Sequence, residues 1–326
     1  MVSSDPTRVV DSPKIWACLI TNTNYLPGLL TLHYTLTTTL KTRYPLVALT
    51  SESLPASAIA ALDARSIPHQ SVPYLQPSSD SSDTSEPKLA FSDPRFRDTW
   101  TKLAVFGLTG YDRIVLLDAD MLPLKSMDEL LDDSHLPLDT PPTDPSSPLG
   151  SRVLAASHAC TCNPFKRTHY PSTWTPENCG LTPLHRDPAL AQTSGGAPGP
   201  LGVLNSGLLV LRPSAVYYTL IHDHMQAHGH SYIFPDQDVL AYTFPDRWVA
   251  LPYVYNALKP LRFKGVHDAI WRDESVKNIH YILAPKPWDR DENDEKNEQN
   301  EMDWWWIDVN KRRKEADVTQ GITDGA

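Results

Sequence analysis

Arg113-Ile114-Val115-Leu116-Leu117-Asp118-Ala119-Asp120 is the stretch whose reading decides the fold. Its four consecutive apolar residues, branched at Ile114 and Val115, read as a strand buried on both faces, the kind a parallel sheet contains. The strand closes on two carboxylates. Alternate side chains of an extended chain share a side, so Asp118 and Asp120 point the same way. Ligands of open α/β sheets sit beyond the carboxyl ends of the strands. Two hard oxygen ligands converging there suit Mg²⁺ or Mn²⁺, and such a cation suits a diphosphate. Taken alone, Asp-x-Asp is equally the mark of a strand-to-loop turn.

Upstream of this strand the chain alternates strand and helix. Lys14 to Asn22 is a first buried strand, followed by a turn at Asn24 to Gly28 and a helical pattern from Leu29 to Tyr44. A second strand spans Pro45 to Glu52, an Ala-rich helix Pro55 to Ser66, and an irregular third strand Ile67 to Leu75. That order predicts an α/β fold, with a Rossmann-like, mostly parallel central sheet flanked by helices. Gln76 to Pro87 reads as a loop, and Phe96 to Gly110 as a helix that delivers Trp100 and Lys102 just before the central strand.

Downstream, a short helix is expected at Ser126 to Asp132 and a strand at Arg152 to Ser157. Residues 159–200 form a long Pro-, Thr- and Cys-bearing insertion with little periodicity. A strand from Gly202 to Arg212 is interrupted at Asn205-Ser206-Gly207, and helices follow from Ser214 and from Phe234. Late strands are read at Trp248 to Asn256 and Val276 to Leu283. The organisation predicted is one domain over 14–288 carrying the 159–200 insertion, a charged linker at 289–303, and a Trp-rich C-terminal helix and tail at 304–326.

Bulk composition narrows the function. A net charge of −10 over 326 residues disfavours nucleic acid, whose phosphates call for a basic face. No apolar run is long enough to span a membrane. The first residues lack a signal-peptide core, and four cysteines do not make a disulfide scaffold, so the cytosol is the expected compartment.

The motifs then fall in a known order: Thr-Asn-Thr-Asn-Tyr at 21–25, Trp-Thr-Lys-Leu at 100–103, Leu-Asp-Ala-Asp at 117–120, Leu-Asn-Ser-Gly at 204–207, Pro-Asp-Gln-Asp at 235–238, Tyr-Asn at 255–256, and His280 with Lys286-Pro287-Trp288. In that order the chain resembles glycosyltransferase family 8, the retaining family that includes glycogenin and galactinol synthase. The resemblance runs from about Trp16 to Trp288. It implies a GT-A fold, a UDP-sugar donor (UDP-glucose or UDP-galactose) and Mn²⁺, with Mg²⁺ as the substitute ion. Asp118, Asp120 and His280 would be the metal ligands, imidazole favouring Mn²⁺. Lys286 would reach the diphosphate. Tyr25, with Thr21 and Asn22, would hold the uracil end. Lys102, Ala119, Asn205, Ser206, Gly207 and Asn256 would complete the donor site, with Gly207 allowing close backbone approach. Asp236 and Gln237 would stand on the reacting side, as would Lys286. Asp238 reads equally as a helix-start cap.

Two departures from the family pattern bear on the acceptor and the phosphate loop. Glycogenin-like members carry a Gly three residues after the metal-binding His. Here that position is Leu283, which predicts a loop built differently. Glycogenin also carries an acceptor Tyr soon after its Tyr-Asn motif, whereas residues 257–279 contain no Tyr. A separate acceptor follows, a small molecule or a glycan, with a small polyol such as myo-inositol the first expectation on the galactinol-synthase-like features and the insertion with its Tyr170 and Trp174 as one wall of its pocket. The rival readings are a glycogenin-like self-glucosylating primer and an inactive carbohydrate-binding scaffold; a homodimer is left open. A phosphatase would carry Asp-x-Asp on its first strand, and a nucleotidyltransferase would want a Gly-rich loop where Gly28 stands alone. His158, Cys160, Cys162 and Cys179 read as a zinc site, as a disulfide pair or as plain packing. Trp304-Trp305-Trp306 reads either as a sugar platform or as the pin of a C-terminal helix.

Overall fold

The computed structural model describes residues 8–78, 98–291, 293–297 and 299–326. Among them, seven strands form one sheet in the order β3-β2-β1-β4-β7-β6-β8. These are β1 (Lys14–Ile20), β2 (Leu46–Thr50), β3 (His69–Ser71), β4 (Arg113–Leu117), β6 (Leu154–His158), β7 (Leu204–Leu211) and β8 (Trp248–Leu251). The first four run parallel to one another, as the buried apolar runs predicted. β7 is reversed against both of its neighbours, so its beginning lies beside the carboxyl end of β4. β8 pairs parallel with β6 at the far edge.

Apolar residues on the two faces of the sheet feed two cores. Ile114 and Leu116 of β4 pack into one, and Val115 and Leu117 into the other. The helices that cover the sheet are α1 (Leu26–Tyr34), α2 (Ala56–Ala64), α3 (Ala215–His228) and α4 (Pro235–Thr243). Three of them start from a local cue. α1 and α4 carry Pro in the first turn, where its missing N–H costs nothing. In α3 the Ser214 side chain accepts from the Tyr217 N–H. In α4 the Asp238 carboxylate accepts from the Ile233 and Phe234 N–H groups, so it caps the helix start.

A second, three-stranded sheet holds β5 (Met121–Pro123), β10 (Asn278–His280) and β9 (Ala257–Leu258) side by side. It brings the chain back across the end of β4. The third core lies beneath it and receives α5 (Glu301–Thr319).

Several boundaries differ from the sequence reading. The helical pattern of 29–44 divides into α1 and a π-turn, Thr35–Thr39. The segment expected as a helix over 96–110 is 3₁₀ from Thr99 to Gly107. Its first residues, and most of the loop expected at 76–87, lie outside the described residues. The insertion contains short 3₁₀ turns at Pro176–Asn178, Thr182–Arg186 and Leu190–Gln192. The C-terminal helix begins at Glu301, ahead of the tryptophans, because buried Asp303 is already held there by Lys259 at 2.6 Å and Arg290 at 3.0 Å. Trp306 is buried in the third core and Trp305 packs partly against it. These tryptophans pin the helix, as one of the two readings had it.

Candidate active site

The carboxyl end of β4 opens into a cavity of about 940 Å³ lined by Asp118, Asp120, Lys102, Asn205, Asp236 and His280, among others. Ligand atoms of Asp118, Asp120 and His280 lie within 4.8 Å of one another. Nε2 of His280 is 3.3 Å from Asp120 and 3.7 Å from Asp118. Its other ring nitrogen, Nδ1, meets the Asn256 side-chain oxygen at 2.9 Å. An N–H donated from Nδ1 leaves the Nε2 lone pair facing the carboxylates, which is how a metal-binding imidazole is oriented. Two hard oxygens and one oriented imidazole fit a divalent cation.

Two lysines thread between the acids. Lys102, buried, bridges Asp118 at 2.7 Å and Asp236 at 2.8 Å. Burial opposes its charge, yet the two carboxylates outweigh that and raise its pKa above the ordinary lysine value. Lys286 donates to Asp120 at 2.6 Å and to the Tyr281 carbonyl at 2.7 Å. Burial would push the Asp120 carboxyl up, but Lys286 and His280 together hold it well below the usual range. Asp118 is pushed up, by burial first and against the pull of Lys102, with the neighbouring Asp120 charge adding to it.

The interruption read at Asn205-Ser206-Gly207 is a bulge. Ala156 pairs with Leu209, but Ser157 pairs with Asn205, so Ser206, Gly207 and Leu208 stand out of the ladder with β6. The bulge and the residue before it place Ser206 and Asn205 on the cavity wall. The Ser206 hydroxyl donates to Asp236 at 2.7 Å. The Asn205 side-chain oxygen accepts from Asn256 at 2.7 Å, and its amide donates to Gln237 at 3.4 Å. Asn256, read from the sequence as part of the donor site, sits between His280 and Asn205 and hydrogen-bonds to both. Gly207 has a steric reason to be glycine. A Cβ there would overlap the His280 ring, 2.8 Å from Nδ1. The missing side chain makes room for the imidazole.

The remaining predicted residues rim the same space. Thr21 donates to Asp98 at 2.8 Å, and Asn22 caps the 3₁₀ turn by accepting from the Asn24 N–H. Both line a recess reaching Tyr25, Lys102, Asp118, Ala119 and Asp120. Tyr25 packs edge-on to Trp288 at 5.7 Å. Gly28 is tight against this turn, its Cα facing the Ala119 carbonyl. Leu283 has φ +103°, the left-handed region that favours glycine. A leucine thus stands in a glycine-type backbone at this position and carries the strain.

On the opposite side, the insertion contributes Arg167, His169, Tyr170 and Trp174 to the cavity. Trp174 stacks on Phe234 at 4.8 Å, and Tyr170 meets both rings edge-on. Phe234 has no signal in the sequence beyond preceding Pro-Asp-Gln-Asp; only the fold sets it against the insertion.

Comparison with known proteins bears on the family and the fold. Residues 199–292 match the model of glycosyl transferase family 8. They span the β7 bulge, Asp236, Gln237, Asn256, His280 and Lys286. The findings support glycosyltransferase family 8. An uncharacterised protein of Acanthamoeba polyphaga mimivirus is 26% identical to this chain over 288 residues, 87% of the chain and 85% of the viral protein. Galactinol synthase 5 of Arabidopsis thaliana is 24% identical over 214 residues, covering 64% of this chain and 57% of the plant protein. The glycosyltransferase GlyE of Streptococcus pneumoniae superposes with a TM-score of 0.53 at 14% identity, over 92% of this chain and 63% of GlyE. The galactosyltransferase LgtC, solved with donor and acceptor sugar analogues, superposes with a TM-score of 0.51 at 14% identity, over 91% of this chain and 96% of LgtC. This chain thus spans less than two thirds of the length of the plant synthase and of GlyE. The fold is GT-A, and the family's reaction is sugar transfer from a nucleotide sugar. No helix among the described residues is long and apolar enough to cross a membrane.

One sequence grouping is corrected by the geometry. His158 does not join the cysteines. Its ring packs edge-on to Trp248 at 5.0 Å, and its Nε2 has no hydrogen-bond partner among the described residues. The histidine that faces the cysteines is His267, which no spacing rule would have selected.

Proposed function

We propose that this protein moves a hexose from UDP-glucose or UDP-galactose to a separate acceptor hydroxyl, with retention at the anomeric carbon and with Mn²⁺ at Asp118, Asp120 and His280. One observation carries the reading: two carboxylates, an oriented imidazole and two lysines converge on a cavity whose far wall is aromatic. The imidazole beside the carboxylates favours Mn²⁺ over Mg²⁺. A bound cation would offset charge developing on the departing diphosphate.

In this reading Lys286 exchanges Asp120 for diphosphate oxygens, adding a second positive charge where the leaving group gains its negative one. Asn205 and Ser206, at the bulge, face the donor sugar, while Tyr25, Thr21 and Asn22 hold the uracil end. The bond from the sugar C1 to the diphosphate breaks with its electron pair going to UDP. A bond from the acceptor oxygen to C1 forms on the same face, and the acceptor proton leaves with the departing phosphate. Asp236 is already engaged by Lys102 and Ser206, which supports a role in holding a sugar hydroxyl more than one as a nucleophile. Gln237 flanks the reacting carbon without ionising. The likeness to galactinol synthases and the Tyr-free stretch from Asn256 to His280 support a small polyol such as myo-inositol as acceptor.

The test is a turnover panel with both UDP-sugars and myo-inositol, with Mn²⁺ and with chelator. Asp120→Ala should lose transfer while its thermal unfolding stays cooperative; Mn²⁺-stimulated turnover in that variant would sink the assignment. NMR of the first product should give an α-anomeric proton. Intact mass after incubation should stay constant, since a ladder of added hexoses would return the self-glucosylating reading.

A further inference from the structure

Cys160, Cys162, Cys179 and His267 form a second cluster of metal-ligand side chains, apart from the carboxylate centre. One ligand atom from each lies within 4.8 Å of every other. Sγ of Cys162 and of Cys179 lie 3.2 and 3.5 Å from Nε2 of His267. Nδ1 of the same ring meets Nε2 of His185 at 2.7 Å. The three thiols are free, and both Cys179 and His267 are fully buried.

We propose that Cys160, Cys162, Cys179 and His267 bind one structural Zn²⁺ that fastens the 159–200 insertion to the segment following β9. Zinc–sulfur bonds of about 2.3 Å and zinc–nitrogen bonds of about 2.0–2.1 Å place tetrahedral ligands roughly 3.4–3.8 Å apart. The measured sulfur–nitrogen separations are already close to that. Four protein ligands close the coordination sphere, which makes the site structural and leaves no position for substrate. Thiolates select zinc and carboxylates select harder ions, so the two centres sort their metals by ligand chemistry. A proton on Nδ1 of His267, donated to His185, leaves Nε2 free for the metal; His185 is the partner that a ligating histidine needs. On binding, each thiol gives its proton to solvent, so the metal with three thiolates and one neutral imidazole carries a net charge of about −1, and nothing is oxidised. A disulfide between two of the cysteines would leave the third thiol and the His185–His267 pair without a role.

The arrangement also accounts for the insertion. Its regular structure is limited to short 3₁₀ turns, yet it holds Tyr170 and Trp174 against Phe234 at the mouth of the cavity. Cys160 itself lines that cavity. Cys162 and His267 are 105 positions apart in the chain, so the metal would close a long loop onto the body of the enzyme.

The experiment uses the full chain, purified without chelator, incubated with Zn²⁺ and desalted. Elemental analysis should give one zinc per chain, retained in Asp120→Ala and lost in both Cys179→Ser and His267→Ala. Replacing zinc by Co²⁺ should give near-ultraviolet thiolate charge-transfer bands and the intense visible bands of tetrahedral cobalt. Should the cysteine variant fail to fold, the cobalt spectrum and a thiol titration of the unmutated chain decide, with three thiols protected until the metal is removed. A chain that retains no zinc, a cobalt spectrum without thiolate bands, or a disulfide found by mass after alkylation would overturn the site. Zinc content is read without turnover, so this result is independent of whether hexose transfer is found.

Discussion

Asn256 carries a prediction that separates a positioning residue from a ligand-binding one. Its side-chain oxygen is the partner of His280 Nδ1 and its amide reaches Asn205. Partners that orient a metal-binding histidine are typically worth about 10–100-fold in metal affinity. Asn256→Ala should therefore weaken Mn²⁺ binding by about that factor, read by titration calorimetry, with the KM for the UDP-sugar little changed at saturating metal. Asn256→Asp keeps an acceptor and should recover part of the loss. At this scale the carboxylates, His280 and Lys286 were legible, because each is a residue type whose chemistry is specific and whose motif is short. The contacts that Asn256 and Gly207 make with His280 were not. Both act on His280 from positions distant in the sequence, and only packing places them against the ring. His267 escaped for the same reason, while His158 drew attention only by lying next to the cysteines.

Elements decide which surfaces face the substrate. The aromatic wall joins the insertion to the start of α4, through Trp174, Tyr170 and Phe234. Trp174→Ala should raise the acceptor KM several-fold and leave slow hydrolysis of the donor unchanged, measured side by side with and without acceptor; equal loss of both would show that the wall serves the donor. α1 yields a second test. Burial, then the nearby Arg65 guanidinium, hold His33 down at about 4 from an ordinary value of 6.5. The unfolded chain takes up this proton as pH falls through 6.5, and the folded chain does so only near 4. Stability is therefore complete above that window and lost on acidification, by roughly 2 kcal/mol between about pH 8 and pH 5. Denaturant melts of the unmutated chain and of His33→Gln should differ by that slope. The parallel strands and their helices were legible in this order because buried apolar runs alternate with helical periodicity. The reversal of β7 was not, since a strand buried on both faces reads the same in either direction. The 3₁₀ segment at Thr99–Gly107 was read as α-helix because both bury an apolar face at nearly the same spacing.

For the whole molecule, α5 works as a strap. Trp306 enters the third core, Tyr281 donates to the Met302 carbonyl at 2.8 Å, and the Asp303 carboxylate, fully buried, joins Lys259 to Arg290. Removing one member of a buried ion network leaves the others uncompensated, at a cost of about 3–5 kcal/mol. Asp303→Ala should show that loss in chemical denaturation, while Asp308→Ala on the exposed side of the same helix should be nearly neutral. The small sheet has a consequence for how the protein comes into being. All strands of the seven-stranded sheet end by Leu251, whereas His280 stands on β10, paired with β5 and β9. Chains emerge from the ribosome amino end first and begin to fold in that order. The large sheet can therefore be complete while the cavity still lacks His280 and Lys286, and a chain released early would have nearly all of the architecture without two of the residues to which the proposed transfer is assigned. The newborn protein would gain its full candidate site only after the last strand and the loop behind it are laid down.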